Sequence, residues 1–147
     1  MPVQTKRYSI REAVVISGLP ASTLRYYETI GLIQPIARDA SGHRTYSQQD
    51  LDVIEGVACL AATGMGIPEM REYIANFPEG AARADDEIAL MLRQQQALER
   101  EAERVRRRQE YVALKLEYWA AIRRGDDAAA EGLTDEMRLA GTRMRAN

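Results

Sequence analysis

The chain has little of what builds a metal centre, a disulfide framework or a membrane span. Among 147 residues there is one cysteine, Cys59, and one histidine, His43. A lone cysteine excludes a disulfide framework within one chain and fits a reducing compartment. One Cys and one His cannot make a tetrahedral structural metal site in one protomer, and an iron–sulfur cluster is disfavoured by the same count. No metal or cofactor is therefore expected. No apolar run approaches the roughly 20 residues needed to cross a bilayer, and the start Met1-Pro2-Val3-Gln4 lacks an apolar signal segment. The expectation is a cytoplasmic protein with no membrane partner. Paired carboxylates, a nucleophile–base set and a phosphate loop are also missing, so the chain does not read as an enzyme.

What is present begins with an uneven charge. The net charge of −2 hides six Lys/Arg against three acids in residues 1–46, one Arg against six acids in 47–80, and thirteen of each sign in the remainder. A local basic head is what attraction to phosphate requires. Within that head, Ser22-Thr-Leu-Arg-Tyr-Tyr-Glu28 packs hydroxyls, a guanidinium and two phenols onto about two helical turns. Ser41-Gly-His-Arg-Thr-Tyr46 sets an Arg and a Tyr just after a Gly turn. Such groups on a helix and an adjacent loop grip phosphates and base edges of double-stranded DNA. Tyr26 alone would be a core aromatic and Arg25 alone a solvated charge; the combination favours nucleic acid.

The surroundings of that helix agree. Ser9-Ile-Arg-Glu12 is a capping-box pattern, followed by apolar Ile10, Ala13, Val14 and Ile16 and a left-handed stop at Gly18. Leu19-Pro20-Ala21 reads as a turn into a helix starting at Ser22 and ending at Gly31. Two short helices joined by a tight turn make a helix-turn-helix, here within 9–31. Leu32–Ile36 alternates loosely and Ser41-Gly42 marks a turn before Arg44-Thr45-Tyr46, which predicts a two-stranded wing over 32–46. Ser47-Gln-Gln-Asp50 caps a third helix whose apolar arc (Leu51, Val53, Ile54, Val57, Ala58, Leu60, Ala61, Ala62) supports the first two. A fourth helix, with Pro68 in its first turn, should bury Met70, Tyr73, Ile74 and Phe77. Residues 1–80 thus read as the head, with supporting helices over 47–77.

These motifs resemble the winged-helix DNA-binding domain of MerR-family transcription regulators. Tyr8-Ser9-Ile10, Ser22–Glu28, Gly31-Leu32, Gly42–Tyr46 and Gly64-Met65 carry the likeness in unbroken order from about Tyr8 to Ile74. The resemblance implies that Ser22, Thr23, Arg25 and Tyr26 lie on the DNA-reading helix, and Tyr27 of the same run is a further DNA-binding candidate. It implies that Arg44 and Tyr46 lie on the wing; Arg38 and His43 are further DNA-binding candidates, His43 standing where the family often carries Tyr. It further implies a promoter operator with an over-long spacer that the protein distorts so that RNA polymerase can engage.

Residues 83–124 form a second pattern. Ala84, Ile88, Met91, Gln95, Leu98, Ala102, Val105, Gln109, Val112, Leu116, Trp119 and Arg123 follow an unbroken four–three alternation between Arg, Glu and Gln. Asp85, Asp86 and Glu87 near the start and Arg123-Arg124 at the end suit the helix dipole. A helix of about forty residues spans roughly 60 Å, too long for an eighty-residue head to cover. A coiled coil between two chains is the better account, with Ile88, Met91, Leu98, Ala102, Val105, Val112, Leu116 and Trp119 in a homodimer interface. Gln95 and Gln109 weaken that seam and would fix register or orientation. Spacing leaves parallel and antiparallel open; the resemblance implies antiparallel. The predicted fold is thus mostly α, a winged helix-turn-helix head followed by a long dimerising coiled-coil helix.

The tail, 125–147, is Ala-rich and charged, with a short helix expected around Thr134–Ala140. It is too short to enclose a drug-sized ligand, so no separate effector domain is expected. Cys59 lies near Asp52, Glu55 and Thr63 on the helical wheel, off the apolar arc. The stretch Cys59–Met65 is similar to that of the aldehyde- and thiol-stress-responsive (AdhR- and NmlR-type) branch, which implies a sensor thiol there; the alternative is an inert, half-buried Cys. The function expected is a homodimeric DNA-binding transcription regulator that distorts promoter DNA and is switched at Cys59. The alternative is a constitutive architectural DNA-binding or coiled-coil scaffold protein without an effector.

Overall fold

A computed structural model describes residues 5–146. The Met1–Gln4 start, read above for its lack of a signal segment, and Asn147 lie outside the described residues. The chain is mostly helical and divides into two compact units, Met1–Leu92 and Arg93–Asn147.

The first unit begins with α1 (Ile10–Ser17). Ser9 accepts from the Glu12 N–H while Glu12 accepts from the Ser9 N–H, the reciprocal capping box read from the sequence. Gly18, at φ 71°, ends it in the left-handed region where a side chain would be strained. Helix α2 spans Ala21–Thr29 and starts one residue before the Ser22 expected. Pro20 is its N-cap, with no side-chain cap bond; its carbonyl accepts from the N–H groups of Thr23 and Leu24. Ser22 therefore sits inside the first turn, where its hydroxyl is exposed rather than spent on capping.

Helix α3 (Gln48–Ala62) opens on the Ser47/Asp50 capping box, and α4 (Ile67–Asn76) carries Pro68 in its first turn. The core gathers Ala13, Leu24, Tyr27, Leu32, Ile33, Ile36, Tyr46, Leu51, Ile54, Val57, Met65 and Met70. Large apolar side chains of this kind contribute roughly 1.5–3 kcal/mol each when fully buried. The Arg71 guanidinium donates to the Ile30 carbonyl, tying α4 to the end of α2. Three expected core members lie outside, Ala62 in the last turn of α3 among them. Val53 is exposed at one edge of the α3 arc, which is wider than the face that α1 and α4 cover. Phe77 is 67% exposed, because α4 has ended and a 3-10 segment (Phe77–Arg83) begins there; its ring leans on Tyr73 at 5.8 Å.

The two-stranded wing takes a different form. Among the described residues no strand forms, and the segment is held by two isolated bridges, Arg38 to Arg44 and Tyr8 to Tyr46. Leu32, Ile33 and Ile36 all enter the core, so the loose alternation there is irregular chain packing inward and not a strand with two faces.

Helix α5 runs Ala84–Arg124, 41 residues. In the second unit it is followed by α6 (Asp127–Gly132) and α7 (Thr134–Arg145). Asp126 caps α6 by accepting from the Ala129 N–H. The tail thus holds two helices where one was expected. They lie against α5: Ala121, Ala130, Met137, Ala140 and Gly141 are buried, Arg143 pairs with Glu110 at 2.8 Å, and Arg107 donates to the Arg143 carbonyl.

Candidate nucleic-acid interface

The hairpin after α2 is built by one aspartate and one glycine. Asp39 Oδ1 accepts from the backbone N–H groups of Ser41 and His43, each at 2.9 Å. Gly42, at φ 82°, lets the chain reverse without a Cβ in the way. Arg38 then donates to the Gly42 carbonyl at 2.8 Å, laying its side chain along the tip. The returning limb is anchored from below: Tyr8 and Tyr46 exchange backbone bonds of 2.9 and 2.8 Å. Arg7 adds bonds to the Thr45 carbonyl (2.7 Å) and hydroxyl (2.9 Å).

Helix α2 presents the opposing groups. Ser22, Arg25 and Tyr26 are exposed and Thr23 is half-exposed, while Leu24 and Tyr27 point into the core. The split follows helical spacing, since residues three apart share a face. Between the start of α1, the exposed side of α2 and the hairpin lies a surface cleft. Arg11, Arg25, Arg38, His43 and Arg44 line it, with Ser9, Ile10 and Gly42. Four arginine side chains line it, and only that of Arg44 has an acidic partner: both Glu28 oxygens lie within 3.3 Å of its Nε. The side chains of Arg11 and Arg25 make no hydrogen bond or ion pair among the described residues. A cleft lined this way can accept anionic oxygens from several directions.

Two expected contacts are corrected. Tyr27 is 9% exposed and Tyr46 1%, and both belong to the core, so neither ring offers itself to DNA. Tyr46 was read as a wing phenol, but bridging to Tyr8 turns its side chain inward. Burial pushes its phenol up from the ordinary value of 10.0, against the opposing pull of Arg44. Tyr26, by contrast, is 51% exposed. Sequence reasoning missed Arg11 as a cleft residue, Arg7 as the clamp on Thr45, and Glu28 as the partner of Arg44. Arg11 was visible in the charge count, but no linear spacing puts it beside Arg25. Helix α3 displays Cys59 exposed. Among the described residues no group of three or more His, Cys, Asp and Glu converges to hold a metal, and no helix is long and apolar enough to cross a membrane.

A helix-turn-helix carrying a basic hairpin beside its second helix defines the class. The profile of the MerR HTH family of regulatory proteins matches residues 8–76, and the chain belongs to this family. The HTH-type transcriptional regulator AdhR of Bacillus subtilis is 46% identical over 63 residues, which is 43% of this chain and 45% of that protein. The chain thus spans less than half the length of that relative. An HTH-type transcriptional regulator of Pseudomonas aeruginosa is 30% identical over 95 residues, 65% of this chain and 72% of that one. Among solved structures, HiNmlR, a MerR family regulator lacking the sensor domain and bound to promoter DNA, superposes with a TM-score of 0.67. It is 22% identical, over 88% of this chain and 96% of the other, a likeness of fold.

Proposed function

We propose that this protein is a DNA-binding transcription regulator that acts as a homodimer on a dyad-symmetric operator. The observation that carries the reading is the cleft where Arg11, Arg25, Arg38, His43 and Arg44 meet beside the exposed side of α2. Ser22, Thr23, Arg25 and Tyr26 contact base edges and phosphates from the helix, and Arg38, His43 and Arg44 contact phosphates from the hairpin. Tyr27 and Tyr46 hold the frame from inside. The second part rests on α5. Ile88, Met91, Leu98, Val105, Val112, Leu116 and Trp119 recur on one stripe of this helix and are 36–68% exposed in the single chain. A stripe of that length and spacing is covered by a second copy in a coiled coil, Ala102 completing the seam.

By family membership, the dimer distorts an over-long promoter spacer so that RNA polymerase engages both elements. Bending of this order costs about 1–6 kcal/mol, the quantity an effector has to modulate. Exposed Cys59 is the thiol placed to report an electrophile or oxidant. A constitutive architectural protein is the competing reading. Footprinting a selected operator with and without an aldehyde separates the two. Protection with hypersensitive central bases supports the regulator, no protection removes DNA binding, and an unchanged pattern with aldehyde leaves the architectural reading.

A further inference from the structure

We propose that Glu28 is a positioning residue for DNA binding: it holds Arg44 of the hairpin against α2, so that the guanidinium meets phosphate from a fixed place. The inference rests on the DNA-binding reading above. Glu28 lies in the last turn of α2, sixteen residues before Arg44. Its two oxygens accept from Arg44 Nε at 3.3 and 3.1 Å, and the Glu28 side chain is only 15% exposed, that of Arg44 21%. This is the one ion pair among the described residues that joins the second helix to the hairpin.

A carboxylate beside a phosphate-binding cleft opposes DNA by charge alone, so any favourable effect must pass through Arg44. Arg44 shares the cleft with Arg11, Arg25 and Arg38. With three other arginines lining the same cleft, an untethered Arg44 side chain turns out into water, where it holds no single direction. Engagement of Nε leaves the two terminal nitrogens of Arg44, which make no hydrogen bond among the described residues, to donate to phosphate. The ordering of a long side chain is then complete before DNA arrives and is not charged against binding. Arg44 also bridges to Arg38 through the backbone, so a fixed Arg44 steadies the limb that carries the hairpin tip.

Charge and positioning give opposite signs for the neutral, equally sized variant Glu28→Gln. Binding is measured by fluorescence anisotropy over a salt series, on a duplex selected by the wild-type protein from a random pool and on a scrambled duplex. Removal of a negative charge alone strengthens both. Loss of positioning weakens the selected duplex by roughly tenfold, one charge-assisted contact, and lowers its salt slope by about one. The scrambled duplex is held as tightly as before or more so. In an Arg44→Ala background the same change adds no further loss. Undiminished affinity of Glu28→Gln for the selected duplex, or a full additional loss in the Arg44→Ala background, overturns the proposal. Should Glu28→Gln fail to fold by circular dichroism, Arg44→Lys carries the test, since it keeps the charge but a lone ammonium that pairs with Glu28 leaves no separate planar fork for phosphate. A wild-type ratio of selected to scrambled affinity in that variant overturns the proposal equally. Failure of the wild-type protein to select any sequence is a different result, and removes the DNA-binding reading itself.

Discussion

Three tyrosines of the head carry similar sequence contexts and take different roles. Tyr26 is exposed, while Tyr27 and Tyr46 are inside. Tyr46→Ala should therefore cost roughly 3–5 kcal/mol of stability, as large-to-small core changes do, whereas Tyr46→Phe should melt near the wild-type temperature and bind DNA normally. A thermal melt of both variants checks this, and a stable Tyr46→Ala protein with weakened binding would restore the wing-contact reading. The raised Tyr46 value has a defined sign: the folded state favours the neutral phenol. Its contribution is complete below the ordinary value of 10.0 and is lost as pH rises through the higher folded value. Stability should thus fall at the alkaline end, and less so in Tyr46→Phe. For the guanidiniums, Arg25→Ala and Arg44→Ala should each weaken operator binding without unfolding the head. Each should flatten the salt dependence by about one unit of slope; unchanged isotherms for both would remove their assignment.

The starts of helices α1 and α3 were legible to the residue, because capping boxes are local chemistry: a hydroxyl, an acid three positions on, and nothing distant. The wing was less so, since its limbs pair with each other and with Tyr8, 38 residues away from Tyr46. Helix α5 was legible in its period, and its two flanks now differ. One flank near Tyr111 is taken by α7, and the Val105 stripe is left open. Val105→Asp should yield monomers in sedimentation velocity, given roughly 1.5–3 kcal/mol per covered seam residue. A monomeric wild-type protein, or a mutant that dimerises normally, would refute the seam. The tail makes a separate expectation. A Cβ at Gly141 would meet the Tyr111 ring at 3.4 Å, ordinary contact. Gly141→Ala should hold or raise the melting temperature, by up to about 1 kcal/mol of helix propensity, and Gly141→Leu should lower it by forcing α7 off the ring.

At the scale of the whole molecule the open question is what turns binding into regulation. Cys59 is exposed on α3, the helix whose buried side supports α1. In the proposed regulator, a covalent change there would bias how the head seats on DNA. Cys59→Ser should keep operator affinity and lose only the transcriptional response to an aldehyde or thiol oxidant. Labelling of the native protein with a thiol reagent is the first check: a Cys59 that stays unmodified, or a Ser variant that still responds, removes the sensor and leaves the DNA-binding reading intact.

Short-range chemistry is what the sequence by itself determined: the capped helices, the positive-φ turn at Gly18, the heptad stripe of α5, and the likeness of residues 8–74 to one family of regulators. Each depends on residues within a few positions of one another, or on a period that repeats. Only the tertiary structure decided which basic and aromatic groups face outward together. Arg11 joins Arg25 and Arg44 because α1 packs across α2, and Tyr46 turns inward because the chain at Tyr8 returns to pair with it. Such convergence comes from packing of distant segments, which neither composition nor spacing encodes locally.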